Sequence, residues 1–74
     1  MNRHILKRAF RDIETPYGQI KVKFALKNGT ILKMKPEFDD IKAISEHKTI
    51  PLHQVYNTVM NTINNQYHIG ESLK

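Results

Sequence analysis

Ile20, Val22, Phe24 and Leu26 alternate with Lys21 and Lys23. This is the period-two pattern of a strand with one face buried and the other in water, and it predicts β-structure over 19–26. The alternation resumes after Lys27-Asn28-Gly29-Thr30, where a strand over 30–35 is expected to turn Leu32 and Met34 inward and Lys33 and Lys35 outward. Asn28-Gly29 joins the two strands as a hairpin, because both central residues of a type I′ turn need positive φ. Upstream, 5–14 reads as a further strand of mixed pattern, with Leu6 and Phe10 on one face of the pleat and Ala9, Arg11 and Ile13 on the other. Thr15-Pro16-Tyr17-Gly18 follows as a tight turn, in which proline presets φ and glycine is free to take φ > 0.

Pro36 ends the third strand, and Glu37, Asp39 and Asp40 crowd the next few positions, where negative charge suits the positive end of a helix dipole. Phe38, Ile41 and Ile44 recur every three residues and carry that helix to about 47. Leu52, Val55, Tyr56, Val59, Met60 and Ile63 then fall at i, i+3, i+4, i+7, i+8 and i+11, one continuous apolar stripe with Pro51 suited to its first turn and Asn64-Asn65 at its end. Residues 67–74 show no period and read as a tail. The expectation is an α+β fold, a three-stranded antiparallel sheet followed by two helices packed on one of its faces, in a single domain over 1–66.

A chain of 74 residues forms one domain at most and buries only about 60% of its unfolded surface, so its core is small. Small domains are usually reinforced by disulfides, a metal or another chain, and with no cysteine the first route is closed. Self-association is therefore expected, and the lack of cysteine fits a reducing, cytoplasmic setting. No stretch approaches the roughly 18 apolar residues of a membrane span, and the first residues carry no apolar run of signal-peptide length. Twelve basic against seven acidic residues give a net charge of +5, a surface biased toward anionic partners.

Lys21, Lys23, Lys33 and Lys35 share the outward face of the hairpin, where strands about 4.8 Å apart crowd the ammonium groups together. Like charges across a strand pair are unfavourable, so an anion that neutralises them recovers free energy; the plainer reading is a solvated face that keeps the sheet soluble. Glu37, Asp39 and Asp40 form the one acidic cluster, of the oxygen-ligand type that magnesium or manganese prefers beside nucleotide phosphates, against the plainer role of complementing the helix dipole. His4, His47, His53 and His68 show no metal-ligand spacing such as i, i+4 and read as surface residues. With no Gly-rich phosphate loop, nucleophile elbow or Cys/His constellation, the chain is not a complete enzyme on its own.

Three stretches in order, Glu14-Thr15-Pro16-Tyr17-Gly18-Gln19-Ile20-Lys21-Val22-Lys23, Met34-Lys35-Pro36-Glu37-Phe38-Asp39-Asp40 and Ile50-Pro51-Leu52-His53-Gln54-Val55-Tyr56, resemble the extreme C-terminal part of the nickel-insertion (LarC) family. That family's pattern is an E-T-P-x-G turn, an alternating V-x-V-K strand, a P-E-aromatic-x-D helix start and a V-P-L-x-x-V helix, and the resemblance covers roughly 6–63. Glu14, Thr15, Pro16 and Gly18 match the turn, Lys23 the strand, and Pro36, Glu37 and Asp40 the helix start. Two positions depart: Ile41 stands where family members often have cysteine, and Thr49 where they often have glycine.

The resemblance implies the C-terminal piece of a longer protein that inserts nickel into a pyridinium bisthiocarboxylate mononucleotide. That reaction is CTP-dependent and completes the nickel-pincer cofactor of lactate racemase. It implies CTP with a divalent ion, Mn or Mg, as ligands of this region, and the rest of the parent protein and further copies of the chain as partners. The histidine-rich segment of longer members has no counterpart here, so nickel itself is assigned to the parent. On this reading Lys21, Lys23, Lys33 and Lys35 hold a nucleotide triphosphate and Glu37 or Asp40 its metal. One rival is a structural oligomerisation module without ligand. A weaker one is a basic nucleic-acid binder, for which no aromatic platform is evident among the lysines and which is not expected.

Overall fold

The structure, a computed structural model, describes residues 6–73. His4 and the expected start of the first strand at Ile5 lie outside the described residues, as does Lys74. Five elements follow one another: β1 (Lys7–Thr15), β2 (Gly18–Lys27), β3 (Thr30–Pro36), α1 (Phe38–Lys48) and α2 (Leu52–Gln66). The strands form one antiparallel sheet in the order β1-β2-β3, with both helices on one side, as the pattern predicts.

Two tight turns set the registers. At the first, the Thr15 hydroxyl donates to the Gly18 carbonyl at 2.6 Å and accepts from the Tyr17 N–H at 3.1 Å, while Gly18 takes φ +112°. Thr15 thus faces Gly18, and every later pair of β1 and β2 follows, including Phe10 with Lys23 and Asp12 with Lys21. At the second turn Asn28 and Gly29 take φ +53° and +80°, the double positive φ of the Asn-Gly hairpin.

Ile13, Ile20, Val22, Phe24 and Ile31 point from the sheet into the core, where they meet Ile41, Val55, Val59 and Ile63 from the helices. No polar side chain is buried among the described residues. β3 departs from simple alternation. Leu26 opposes Ile31 and Ala25 opposes Lys33, which leaves Leu32 as the extra residue of a β-bulge. The bulge shifts the phase of the strand, so Ile31 is fully buried and Leu32, expected inward, is exposed; Met34 packs against the core as expected.

The helical stripes are narrower than their sequence patterns. Val55, Val59 and Ile63 of α2, spaced four apart, are buried, whereas Leu52 and Tyr56 are exposed; on α1, Ile41 is buried and Phe38 exposed. A three-stranded sheet fully covers one row of each helix, with Ile44 and Met60 partly buried against the core beside it. Residues 67–73, set aside above as a tail, fold back on the start of β3. The Ile31 N–H donates to the Glu71 carbonyl at 2.8 Å, the Gly70 N–H to the Ile31 carbonyl at 2.8 Å and the Leu73 N–H to the Gly29 carbonyl at 3.2 Å. Tyr67 meets Phe24 edge-on with ring centroids 5.0 Å apart, and Leu73 packs on the core, so side-chain packing and edge pairing hold a segment that lacks any period.

α1 ends on Thr49 in the left-handed region, φ +55° and ψ +50°, with its N–H bonded to the Ser45 carbonyl. The Ile50 N–H also donates to the Ser45 carbonyl, and the Ser45 hydroxyl donates to the Ile50 carbonyl at 2.6 Å. A β-branched residue in this left-handed region is strained by about 1–2 kcal/mol, a conformation that glycine takes without that penalty. Thr49→Gly is expected to stabilise the chain by about 0.5–1 kcal/mol, because the relief exceeds glycine's added unfolded-state entropy. A urea midpoint that rises for Thr49→Gly and not for Thr49→Ser checks it.

Candidate functional site

The registers arrange the face of the sheet opposite the helices in rows. Phe10, Lys23 and Lys35 make one row across β1, β2 and β3; Arg8, Ala25 and Lys33 make the next. Because Ala25 has no side chain beyond its methyl, the second row sinks at its centre. The result is a basin of about 560 Å³ lined by Leu6, Arg8, Lys23, Ala25, Lys33 and Lys35, with no carboxylate in its lining. Three of the four predicted lysines therefore meet around one depression, and Arg8 joins them.

Lys21 stands apart from the basin, opposite Asp12 on β1. Its backbone is tied to the start of α1: the Lys21 N–H donates to Asp40 Oδ2 at 3.0 Å, and the Glu37 N–H donates to the Lys21 carbonyl at 2.9 Å. Asp40 thus continues the ladder of β2 after β3 has ended at Pro36, an attachment invisible in a linear reading. Glu37 is the N-cap residue of α1 without a side-chain capping bond, and Asp39 and Asp40 occupy the first turn, where they complement the dipole. Glu37 and Asp40 sit one row beyond Lys23 and Lys35, roughly 7 Å along the strands at the usual strand rise.

Among the described residues no three His, Asp or Glu side chains gather in a way that could hold a metal alone. His47 and His53 are exposed in the last turn of α1 and the first turn of α2, and His68 Nδ1 lies 2.9 Å from Glu71 Oε1. Glu14 is exposed beside the first turn, while Thr15 and Gly18 build it and Pro16 stands at its corner. A second depression of about 590 Å³, lined by Ile31, Gln66, Tyr67, Glu71 and Ser72, contains no cation to receive an anion.

Arg8, Leu6 and Ala25 are missing from the sequence-level site, yet the signal for them is present. A two-residue turn between Thr15 and Gly18 fixes every opposite pair on β1 and β2, and counting back from it places Arg8 beside Ala25 and Phe10 beside Lys23.

A family model described as nickel insertion protein matches residues 1–56. The pyridinium-3,5-bisthiocarboxylic acid mononucleotide nickel insertion protein of Staphylococcus epidermidis is 40% identical over 74 residues, all of this chain and 19% of that protein. Its counterpart in Staphylococcus saprophyticus is 42% identical over 69 residues, 93% of this chain and 18% of that protein. The chain thus spans about a fifth of the length of these curated relatives. Among solved structures it is similar to LarC2, the C-terminal domain of a cyclometallase involved in the synthesis of the NPN cofactor of lactate racemase, in its apo form. The TM-score is 0.72 at 31% identity, over 84% of this chain and 42% of that one.

The Asp40 contact separates two carboxylates that look alike in sequence. Asp40→Ala is expected to lower stability by about 1–2 kcal/mol and to speed hydrogen exchange at the Lys21 amide, whereas Asp39→Ala loses only a dipole contribution of about 0.3–1 kcal/mol and leaves that amide alone. Denaturant melts with amide exchange on both variants check the distinction.

Proposed function

Because the chain belongs to the nickel insertion protein family, we propose that it acts as the C-terminal part of a nickel insertion machine and supplies a site for a nucleotide triphosphate, CTP, that accompanies the reaction. The nickel ion and the pyridinium mononucleotide are substrates of the whole protein. The observation that carries this reading is the basin. Lys23, Lys33, Lys35 and Arg8 surround one depression with no carboxylate in its lining, so their field is uncompensated where a polyphosphate would lie. Ammonium and guanidinium groups make charge-assisted hydrogen bonds to phosphate oxygens, and the Ala25 floor leaves room for the phosphate chain. Lys21, outside the basin, adds to the field.

A divalent ion, Mn or Mg, fits Glu37 and Asp40 in one form only. Such ions are often bound by one or two carboxylates together with substrate phosphates and waters, and two carboxylates one row from the basin match that arrangement, whereas the described residues offer no cage of three ligands. Asp40 Oδ2 is engaged with the Lys21 N–H, which leaves Oδ1 and the Glu37 carboxylate as donors. The ion would neutralise phosphate charge; the residues' own part is to hold the polyphosphate against the sheet.

The second part of the reading is self-association, supported by the small core and by exposed apolar side chains at Leu6, Phe10, Phe38, Leu52 and Tyr56.

Calorimetric titration of CTP with manganese into the 74-residue chain tests the nucleotide site. Saturable binding is expected, weakened by about tenfold or more in Lys23→Glu and in Lys35→Glu and weakened again by added salt. Absence of binding at about millimolar ligand, in the affinity range of weak single-site complexes, removes the site.

A further inference from the structure

We propose that the outer edge of β1 is the surface on which two copies of this chain join, by antiparallel β1–β1 pairing about a two-fold axis at Phe10. This deepens the self-association part of the reading above and rests on it. Among the described residues no strand pairs with that edge, the sheet order being β1-β2-β3, whereas residues 70–73 pair with the start of β3 at 29–31.

The backbone already faces outward there. Lys21 gives its N–H to Asp40 and its C=O to the Glu37 N–H, both on the side away from β1. Residues directly opposite in an antiparallel pair turn their backbone groups either both toward each other or both away. Asp12, which opposes Lys21, therefore presents its N–H and C=O to the outer edge, and so do Arg8, Phe10 and Glu14 at every second position. That is a row of paired donors and acceptors with no strand to receive them, the ordinary template for edge-to-edge association.

Charge selects the register. Two identical antiparallel strands related by a dyad place one residue opposite its own twin. With Phe10 on the axis, Arg8 of each copy faces Asp12 of the other, Lys7 faces Ile13, Ala9 faces Arg11 and Leu6 faces Glu14. No like charges meet, and two half-exposed phenyl rings cover one another on the face of the sheet away from the helices. An axis at Arg11 sets two guanidinium groups together, one at Asp12 two carboxylates, and one at Ala9 brings Lys7 onto Arg11. The edge as a whole carries Lys7, Arg8 and Arg11 against Asp12 and Glu14, far closer to neutral than the basin beside it. The dyad makes a continuous six-stranded sheet with all four helices on one side. Both basins then open on the other side, about 14 Å apart from β2 to β2 at the usual strand spacing.

The chain contains no cysteine, so single-cysteine variants report one position each. Light scattering on the chain at about 0.5 mM is expected to give the mass of a dimer, a high concentration suited to an interface of two strand edges at the small end of the size range. Under mild oxidation Phe10→Cys is expected to crosslink at least about tenfold more than Arg8→Cys or Asp12→Cys, whose twins stand about 13 Å apart and beyond disulfide reach. Circular dichroism confirms that each variant folds, and Phe10→Asp, which sets two carboxylates on the axis, is expected to shift the wild-type sequence to monomer. A monomer at that concentration overturns both this interface and the self-association reading, leaving the nucleotide titration to stand or fall by itself. A dimer that ignores Phe10→Asp and does not crosslink at position 10 overturns the β1 interface alone.

Discussion

The alternation of β2 is the constraint on which the rest depends. Ile20, Val22 and Phe24 are fully buried under the helices, and the residues between them must therefore stand on the opposite face. A slip of one residue would drive Lys21 and Lys23 into an apolar core, where an unpaired ammonium is prohibitively unfavourable. The two tight turns at the ends of β2 hold this phase from both sides, so local chemistry at Thr15–Gly18 and Asn28-Gly29 determines which side chains assemble on the outer face. Ala25, outward and small, then converts a cationic surface into a cationic depression.

Much of this was legible because it rests on short-range rules: period-two alternation, proline and glycine in turns, and acidic residues at a helix start. What a linear reading misses is what depends on pairing between elements. The bulge at Leu32 exchanges that residue for Ile31 in the core, and alternation within β3 contains no sign of it. Phe38, Leu52 and Tyr56 belong to apolar stripes yet remain exposed, since stripe width is set by how much sheet lies beneath the helices. The attachment of 67–73 comes from edge pairing and a Tyr67–Phe24 contact across distant parts of the chain. The candidate site divides the same way: the lysines announce themselves by spacing, whereas Arg8 and Leu6 enter through the register of β1 against β2.

Asp40 links the two layers. By accepting the Lys21 N–H it anchors the start of α1 to the open end of β2, so the helix that covers the core and the acidic cluster beside the cationic face are placed by one contact. Family membership gives this arrangement its context, since the relatives are several times longer and this chain corresponds to about a fifth of their length. A compact basic face with nearby carboxylates is the arrangement on which the nucleotide site proposed above rests. In the proposed β1–β1 dimer the same register logic, carried across the outer edge of β1, would bring two such faces to one side of a shared sheet.

The most direct measurement is a backbone amide chemical-shift map of the isotopically labelled chain as CTP is added without a paramagnetic ion. Changes concentrated on Arg8, Lys23, Ala25, Lys33 and Lys35, with the buried row Val55, Val59 and Ile63 of α2 unmoved, are predicted. Changes concentrated on α2 and residues 67–73, or no change at all, contradict a polyphosphate site built by the outward face of the hairpin.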